Sequence, residues 1–405
     1  MKKRILFVED DPLMIQLFVM MMDGESARWE VATAEDGARA LQLMEASPFD
    51  VVVSDMNMPG MSGAEFIAEV KTRHPRTSRI ILSALSDQQR VANCLGATHQ
   101  FMAKPFDVKV FKATLDRIGG LDAYLKDDRL RTLVGRLGTL PSFPSLYVEV
   151  MKELDSPDSL IESVAATIAK DPAMTAKMLQ IVNSAAIGLT TRVTSPFEAV
   201  GFLGFTTVRS LVLSAHIFTC FEHTNLKGFS INRLWNHAMG TGTLARMITQ
   251  IEGADAADAA DAFTAGLLHD VGKLMLADGM PEEFQSALAL AAERKVHLYE
   301  AEQEIFGATH AGVAAYLLGL WGLPASIVEA VAFHHTPSHS DLRVVGPLAA
   351  VHVANVFEQE LSKADACGRA ATLDADYIAA VGAQDRVEAW RAEATKLANA
   401  LKEVD

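Results

Sequence analysis

Carboxylates, a hydroxyl and a lysine follow or end four short apolar runs near the start of the chain. They are Glu9, Asp10 and Asp11 after residues 5–8, Asp55 after 51–54, Ser83 in 80–83, and Lys104 after 100–103. Converging carboxylates repel one another unless a cation neutralises them, and oxygen-only ligands suit Mg²⁺. A carboxylate in line with an incoming phosphoryl group can act as its nucleophile, and a lysine and a hydroxyl can stabilise the transferred oxygens. The pattern therefore indicates phosphoryl chemistry.

The elements that must position these residues alternate between strand and helix. Apolar runs predict strands, and apolar residues spaced by three and four predict a helix after each. The runs are Ile5–Val8, Trp29–Thr33, Val51–Ser54, Ile80–Ser83 and Gln100–Ala103. Five such units predict an α/β doubly wound, five-stranded parallel sheet. Because such sheets bind ligands at the carboxyl ends of their strands, the polar residues should meet there.

A second group of residues with chemical potential lies in the other half of the chain. Nine of the twelve histidines fall between positions 216 and 339, and His269 is followed directly by Asp270. An adjacent imidazole and carboxylate can bind one transition metal, and histidines from other helices, such as His237 and His310, can complete the site. Water bound there could become a hydrolytic nucleophile.

The second half predicts an all-helical domain. From Phe143 onward the apolar spacing is three and four, without strand alternation, and Ser195-Pro196 is one of several helix-start signals. The alanine-rich segment 254–262 is expected to be a connection or a frayed helix start. Leucines and valines in 121–139 indicate a connector helix, a short dimerisation seam or a solvated linker, and these alternatives stay open.

Composition excludes several classes of protein. Half of the 405 residues are hydrophobic and the formal net charge is −15, so DNA binding is not expected. Three dispersed cysteines favour a reducing compartment, and early carboxylates argue against a signal peptide. The most membrane-like stretch, 311–333, is interrupted by Gly322 and Pro324 and predicts two buried helices. We therefore expect a cytoplasmic protein without a membrane partner.

The first half resembles the receiver domain of bacterial response regulators, which has a flavodoxin-like fold. The resemblance covers about residues 1–120 and rests on ILFVEDD, SDMNMPGMSG, ILSA and FMAKPF in that order. It implies that Asp55 is the phospho-acceptor and that Glu9 and Asp10 form the acidic pair, with Asp10 a direct Mg²⁺ ligand. The backbone carbonyl of Asn57 would be a further ligand.

The same resemblance assigns four more residues. Ser83 would donate a hydrogen bond to the phosphoryl group, and Lys104 would form an ion pair with it. Phe101 occupies the position of the aromatic switch, and Pro105 would follow a cis peptide bond. Asp11 is expected to cap the next helix.

The second half resembles the HDOD domain, a relative of the HD phosphohydrolase superfamily that often lacks a complete catalytic set. The motifs are LPSFPSLYVEVMKEL, AGLLHDVGKL, HAGVAAYLLGLWGLP and VAFHH, and likeness is strongest over 140–340. The superfamily pattern implies His237, His269 and Asp270 as ligands, and places Asn355 where a final acidic ligand is expected. A neutral amide is a poor ligand for a hard cation, and no GYP tripeptide follows the histidine pair.

Three interpretations of the histidine cluster remain open: a phosphodiesterase centre, a metal site without turnover, and a buried network in which every group is hydrogen-bonded. The cluster comprises His237, His269, Asp270, His310, His334 and His335. Lys273 is expected to be a solvated lysine near a helix end.

The combined hypothesis is a response regulator with a receiver domain over 1–120, a connector over 121–139 and an HDOD output domain over 140–405. A histidine kinase would phosphorylate Asp55 and so switch a non-catalytic output domain, whose partner is another protein or a second copy of the chain. The rival hypothesis is a receiver-gated, metal-dependent phosphohydrolase acting on a cyclic dinucleotide or nucleotide.

Overall fold

The computed structural model describes residues 2–84 except 26, 75 and 76, and residues 193–402 except 222, 225, 322 and 363–368. Between these ranges it describes 98, 100–104, 159–170 and isolated positions. The chain divides into two compact units, one of residues 1–143 with 316–323 and the other of residues 144–315 with 324–405.

The first unit contains a five-stranded parallel sheet in the order β2-β1-β3-β4-β5. This is the flavodoxin-like order, and it confirms the predicted doubly wound fold. The strands and the helices described with them are β1 Lys3–Val8, α1 Pro12–Met22, β2 Trp29–Ala34, α2 Gly37–Ala46, β3 Val51–Asp55, α3 Gly63–Arg73, β4 Ser78–Ala84 and β5 Gln100–Lys104.

Local sequence signals explain where these helices begin. The Asp11 carboxylate accepts a hydrogen bond from the Leu13 backbone N–H at 2.9 Å, so Asp11 caps α1 as predicted. Ser62 and Glu65 form a capping box at the start of α3. The inner residues of β1 and β3 are buried because the sheet is covered on both faces.

The second unit is helical throughout its described part, as predicted. Its helices are α4 Ile161–Ala169, α5 Pro196–Cys220, α6 Ile231–Ile251, α7 Ala256–Leu268, α8 Val271–Gly279, α9 Pro281–Arg294, α10 Leu298–Phe306, the first part of α11 His310–Leu320, α12 Ala325–Phe333, α13 Pro347–Ser362, α14 Ala375–Ala380 and α15 Val387–Lys402. Short 3₁₀ turns occupy Pro337–His339 and Gln384–Arg386.

Helix starts in this unit follow the sequence signals, with one correction. Ser195 caps α5, whose first residue is Pro196. Of the two alternatives for the alanine-rich segment, a helix start is correct and a connection is wrong: Asp255 accepts a hydrogen bond from the Asp258 N–H at 2.8 Å, and α7 begins at Ala256. Alanine has the highest helix propensity, so a capped alanine-rich segment forms a regular helix.

The stretch 311–333 forms two helices, α11 and α12, as predicted. In the described residues only α5 is long and apolar enough to cross a membrane, and 56% of its most apolar window is buried within the protein. A core helix passes the same test of length and composition. Sequence analysis predicted the start of α5 but did not single it out as a membrane-like segment.

Candidate functional site

Strand register brings the predicted acidic residues together at one edge of the sheet. Val8 of β1 pairs with Ser54 of β3, so the next residues along the chain, Glu9 and Asp55, lie beside each other at the carboxyl edge of the sheet. Asp10 completes a group of three carboxylates, with one oxygen from each lying within 4.8 Å of the others. We call Glu9, Asp10, Asp55 and Lys104 the acid pocket. Glu9 and Asp55 are buried, whereas Asp10 is exposed.

Lys104 enters the acid pocket from the end of β5. Its Nζ lies 2.5 Å from Asp55 Oδ1 and 2.7 Å from Glu9 Oε2. Burial opposes the charge of the lysine, but the hydrogen bonds and charges of Asp55 and Glu9 together raise the pKa of Lys104. Burial, with help from the nearby charge of Asp55, raises the pKa of Glu9. Three carboxylates face one ammonium, so the pocket keeps a net negative charge, and oxygen ligands in this arrangement fit a hard divalent cation such as Mg²⁺.

The loop after β3 fixes the Asp55 carboxylate from the other side. The backbone N–H of Asn57 donates to Asp55 Oδ2 at 2.8 Å. At the end of the loop, a Cβ on Gly63 would lie 2.0 Å from the Asp55 carbonyl oxygen, so this position admits only glycine without a backbone shift. Ser83 and Phe101 lie in β4 and β5, but their side chains are outside the described residues, as is Pro105.

The helical unit assembles all six predicted cluster residues, although they come from different helices. His237 lies within α6, His269 and Asp270 join α7 to α8, His310 begins α11, and His334 and His335 follow α12. Two ligand groups form, and both contain Asp270. One consists of Asp270, His310, His334 and His335, and the other of His237, His269 and Asp270. We call these six residues the HD cluster.

Four of the histidines are oriented in the same way. Each has Nδ1 against an oxygen: His269 against Gly266 O at 2.7 Å, His334 against Val331 O at 2.8 Å, His310 against Glu302 Oε2 at 2.6 Å, and His237 against Glu358. Because a carbonyl or carboxylate oxygen accepts, Nδ1 carries the proton. In the neutral ring Nε2 is then a free lone pair.

These Nε2 atoms surround the Asp270 carboxylate. His310 Nε2 lies 3.1 Å and His334 Nε2 3.8 Å from Oδ1, while His269 Nε2 lies 3.5 Å and His237 Nε2 3.7 Å from Oδ2. The Nε2 atoms of His237 and His269 are 3.2 Å apart. Two lone pairs at that distance repel unless a proton or a metal lies between them. The arrangement is that of two adjacent ligand sets joined by one bridging carboxylate.

Burial keeps most of this cluster in the protonation state that metals require. It lowers the pKa of His269 to about 3 and those of His334 and His335 well below their usual value. Burial opposes the charge of Asp270 too, but the adjacent ammonium of Lys273 holds the pKa of its carboxyl well below the usual range. Neutral imidazoles around an ionised carboxylate are the donor set for Mn, Fe or Zn.

The buried His334 Nε2 lacks a hydrogen-bond partner in the described part of the chain, and Asp270 Oδ1 has only His310 Nε2 beside it, at 3.1 Å. The described residues therefore leave His334 Nε2 without the hydrogen bond that the network interpretation requires, and the choice among the three interpretations stays a prediction. Unpartnered buried polar atoms are costly. Asp270 Oδ1 and His334 Nε2 point into the same ligand group, so the residues fit a metal ion.

Sequence reasoning missed three further groups at this site. Lys273 is not solvated as expected, because its Nζ lies 2.6 Å from Asp270 Oδ2. The carboxylate that reaches the cluster from α13 is that of Glu358, one turn beyond Asn355. Asn355 itself is buried, and its side-chain oxygen accepts a hydrogen bond from Gln359. Spacing by three along one helix face could have indicated Glu358. No sequence signal pointed to the fully buried Glu302.

Comparison with known proteins identifies both domains. Residues 5–116 match the response regulator receiver domain and residues 140–337 match the HDOD domain. The chain therefore belongs to the response regulators and combines an N-terminal receiver domain with a C-terminal HDOD domain. The domain boundaries given above at 120 and 139 stay predictions.

Individual relatives agree with this assignment. The receiver half is 37% identical over 97 residues to a CheY chemotaxis protein of Rhizobium etli, covering 22% of this chain and 73% of that protein. An uncharacterized protein of Treponema pallidum is 27% identical over 225 residues, 56% of this chain and 43% of its own. The fold of an HDOD domain protein of unknown function from Geobacter sulfurreducens matches with a TM-score of 0.55 and 22% identity, over 68% of this chain and 98% of that one. The chain spans less than half the length of the curated relative from Treponema.

Proposed function

We propose that the receiver domain accepts a phosphoryl group on Asp55 from a histidine kinase, and that this switches the HDOD domain between two states of binding to a protein partner. The observation that supports the proposal most directly is the ion pair of Lys104 with Asp55 at 2.5 Å, inside a pocket of three carboxylates. We further propose that the protein works in the cytoplasm and does not bind DNA.

The chemistry follows from the positions of the pocket residues. An oxygen of Asp55 attacks phosphorus as the P–N bond to the kinase histidine breaks, and the imidazole takes up a proton. Lys104 stabilises the new phosphoryl oxygens, and Ser83 would donate to one of them. Mg²⁺, held by Asp10, Asp55 and the carbonyl of Asn57, would neutralise charge on these oxygens.

The switch follows from added charge. A phosphoryl group adds about −1.5 to −2 to the pocket, which biases an equilibrium between two conformations of the receiver. A stripe of exposed apolar residues on α1, formed by Leu13, Leu17 and Met20, begins next to the pocket and offers a surface for the kinase.

Intact-mass spectrometry after incubation with acetyl phosphate tests the acceptor. We expect one phosphoryl group on the wild-type chain, none on Asp55→Asn, and normal labelling of Asp11→Asn. Asparagine caps a helix as well as aspartate does, so Asp11→Asn controls for loss of a neighbouring carboxylate. Equal labelling of Asp55→Asn and the wild type would rule out this acceptor.

Affinity capture with and without beryllofluoride tests the output. A partner recovered in one state only, and not by Asp55→Asn, would support switching of an interaction. Sedimentation velocity in both states would show whether the partner is a second copy of the chain. Identical capture and sedimentation in both states would contradict the proposal, and tight sequence-specific DNA binding would favour a transcription factor.

A second candidate function is a metal-dependent phosphohydrolase, and the buried His334 Nε2, which has no hydrogen-bond partner in the described residues, favours it. His237, His269 and Asp270 would hold one ion, and Asp270 would share a second with the other histidines. Such ions supply a Lewis acid and an acidified water. Asn355 contributes no charge to this site, which weakens the hydrolytic form of the hypothesis.

Elemental analysis and a turnover assay separate the two candidates. Stoichiometric Mn, Fe or Zn in the purified chain, with phosphodiester hydrolysis that His269→Ala abolishes, would establish the enzyme. Metal without hydrolysis would leave a structural or sensory metal site in the output domain.

A further inference from the structure

A cavity of about 700 Å³ opens directly above the HD cluster. His237, Asp270, His310 and His335 line its floor. Its volume falls within the range of small-molecule sites, which is roughly 300 to 1,000 Å³. A metal ion alone needs far less space, so the cavity is built for something larger than an ion.

The walls of this cavity carry three cations, Arg233, Lys273 and Arg369. Lys273 is paired with Asp270, whereas neither arginine has an ion-pair partner within the described part of the chain. Among the described residues, the carboxylates that line the cavity are Asp270 and Glu358. Over the lining residues that the structure describes, three positive and two negative formal charges leave an excess of one positive charge, in a protein whose net charge is −15. Arginine guanidinium groups bind phosphate oxygens in a bidentate manner.

A ladder of aromatic rings forms another wall. The Tyr299 ring stacks on His335 with 4.7 Å between centroids and an interplanar angle of 23°. His297 stacks on Tyr299 at 5.3 Å and 13°. Leu288 and Leu298 add apolar surface beside them. The ladder runs outward from the HD cluster, so a planar group can extend it while a charged group lies against the arginines.

We propose that this cavity binds a nucleotide, with its phosphate against Arg233 and Arg369 and its base against the Tyr299–His297 ladder. The proposal rests on the second candidate function and deepens it, since it places the phosphate and the base of the ligand against named residues of the same site. The arginines and the rings need no metal to make these contacts. Binding is therefore measured with a chelator present, so that failure of ligand binding can be told apart from failure of metal binding.

The test is isothermal titration of the full chain in EDTA with four probes: adenosine 5′-monophosphate, ribose 5-phosphate, adenosine and inorganic phosphate. We expect the nucleotide to bind at least tenfold more tightly than any of the three fragments, because only the nucleotide carries both groups. Equal affinity for the nucleotide and inorganic phosphate would overturn the assignment of the ring wall. Undetectable binding of every probe would overturn the proposal as a whole.

Variants assign the two walls separately. Arg369→Ala should weaken nucleotide binding about tenfold, and Tyr299→Leu should weaken the nucleotide but leave ribose 5-phosphate unchanged. Arg294→Ala is the matched control, because Arg294 is half-exposed, pairs with Glu304 and is not part of the cavity wall. An unchanged affinity in Arg369→Ala, or an equal loss in Arg294→Ala, would contradict the proposed phosphate position. Circular dichroism of each variant confirms folding.

Discussion

Replacing Glu302 with glutamine tests whether the HD cluster holds metal. Glu302 Oε2 accepts from the His310 backbone N–H at 2.8 Å and from His310 Nδ1 at 2.6 Å, and the side chain is fully buried. Glutamine keeps the shape and one acceptor oxygen but removes the charge. The Glu302 carboxylate makes His310 more basic and therefore a better ligand.

The expected loss can be estimated from this geometry. Removal of a carboxylate that orients a metal-bound histidine lowers metal affinity about 10- to 100-fold, which is about 1.4 to 2.8 kcal/mol. Competition titration with Mn²⁺ or Zn²⁺ and a chromophoric chelator measures this change. Glu304→Gln is the control, because Glu304 lies on the same helix but is exposed and paired with Arg294.

A second readout needs no metal. Burial opposes protonation of His310, but Glu302 raises the pKa of the imidazole overall. A raised pKa gives stability that is present below about pH 6.5 and is lost as pH rises. In EDTA, Glu302→Gln should therefore destabilise the chain more at pH 6 than at pH 9. Metal affinity of Glu302→Gln equal to that of the wild type would refute the role of this carboxylate.

Three further predictions concern other positions. Gly272→Ala should lower the free energy of unfolding by about 1 to 3 kcal/mol in urea titrations, because the new Cβ would lie 2.0 Å from the His310 carbonyl oxygen. Gly63→Ala should slow labelling by acetyl phosphate at least tenfold, since its Cβ would displace the Asp55 backbone in the same way. Burial raises the pKa of Tyr377 to about 12, so stability should fall as pH rises from 10 to 12, and Tyr377→Phe should remove this pH dependence in urea titrations.

Each of these predictions has a control. A Cβ on Gly346 meets no atom within 4 Å, so Gly346→Ala should leave stability nearly unchanged; equal stability of Gly272→Ala and Gly346→Ala would contradict the clash. For Gly63 the control is Gly201→Ala, because a Cβ on Gly201 also meets no atom within 4 Å. Gly201→Ala should leave the rate of labelling unchanged, and equal labelling rates of Gly63→Ala and Gly201→Ala would contradict the clash. For Tyr377, the buried hydroxyl has no partner in the described residues, and an identical pH profile in wild type and Tyr377→Phe would assign the alkaline loss to other groups.

Sequence alone predicted the receiver unit well, because its signals are local. Apolar runs identified all five strands, with bounds within two residues of those observed, and Asp11 was correctly placed as a helix cap. Parallel strands must bring their carboxyl ends to one edge, so the meeting of Glu9 and Asp55 followed from strand order. That Lys104 forms ion pairs with both Glu9 and Asp55 could be seen only from the side-chain positions in the structure.

The helical unit shows the limit of that reasoning. Sequence determined that this half is helical, that it contains the HD motif, and which six residues belong to the cluster. Only the tertiary structure decided that Asp270 belongs to two ligand groups and forms an ion pair with Lys273. It also decided that Glu302 and Glu358 each hold one histidine of the cluster through Nδ1. Helical periodicity fixes which face a residue occupies, whereas the contacts between helices depend on packing over distances that no local pattern encodes.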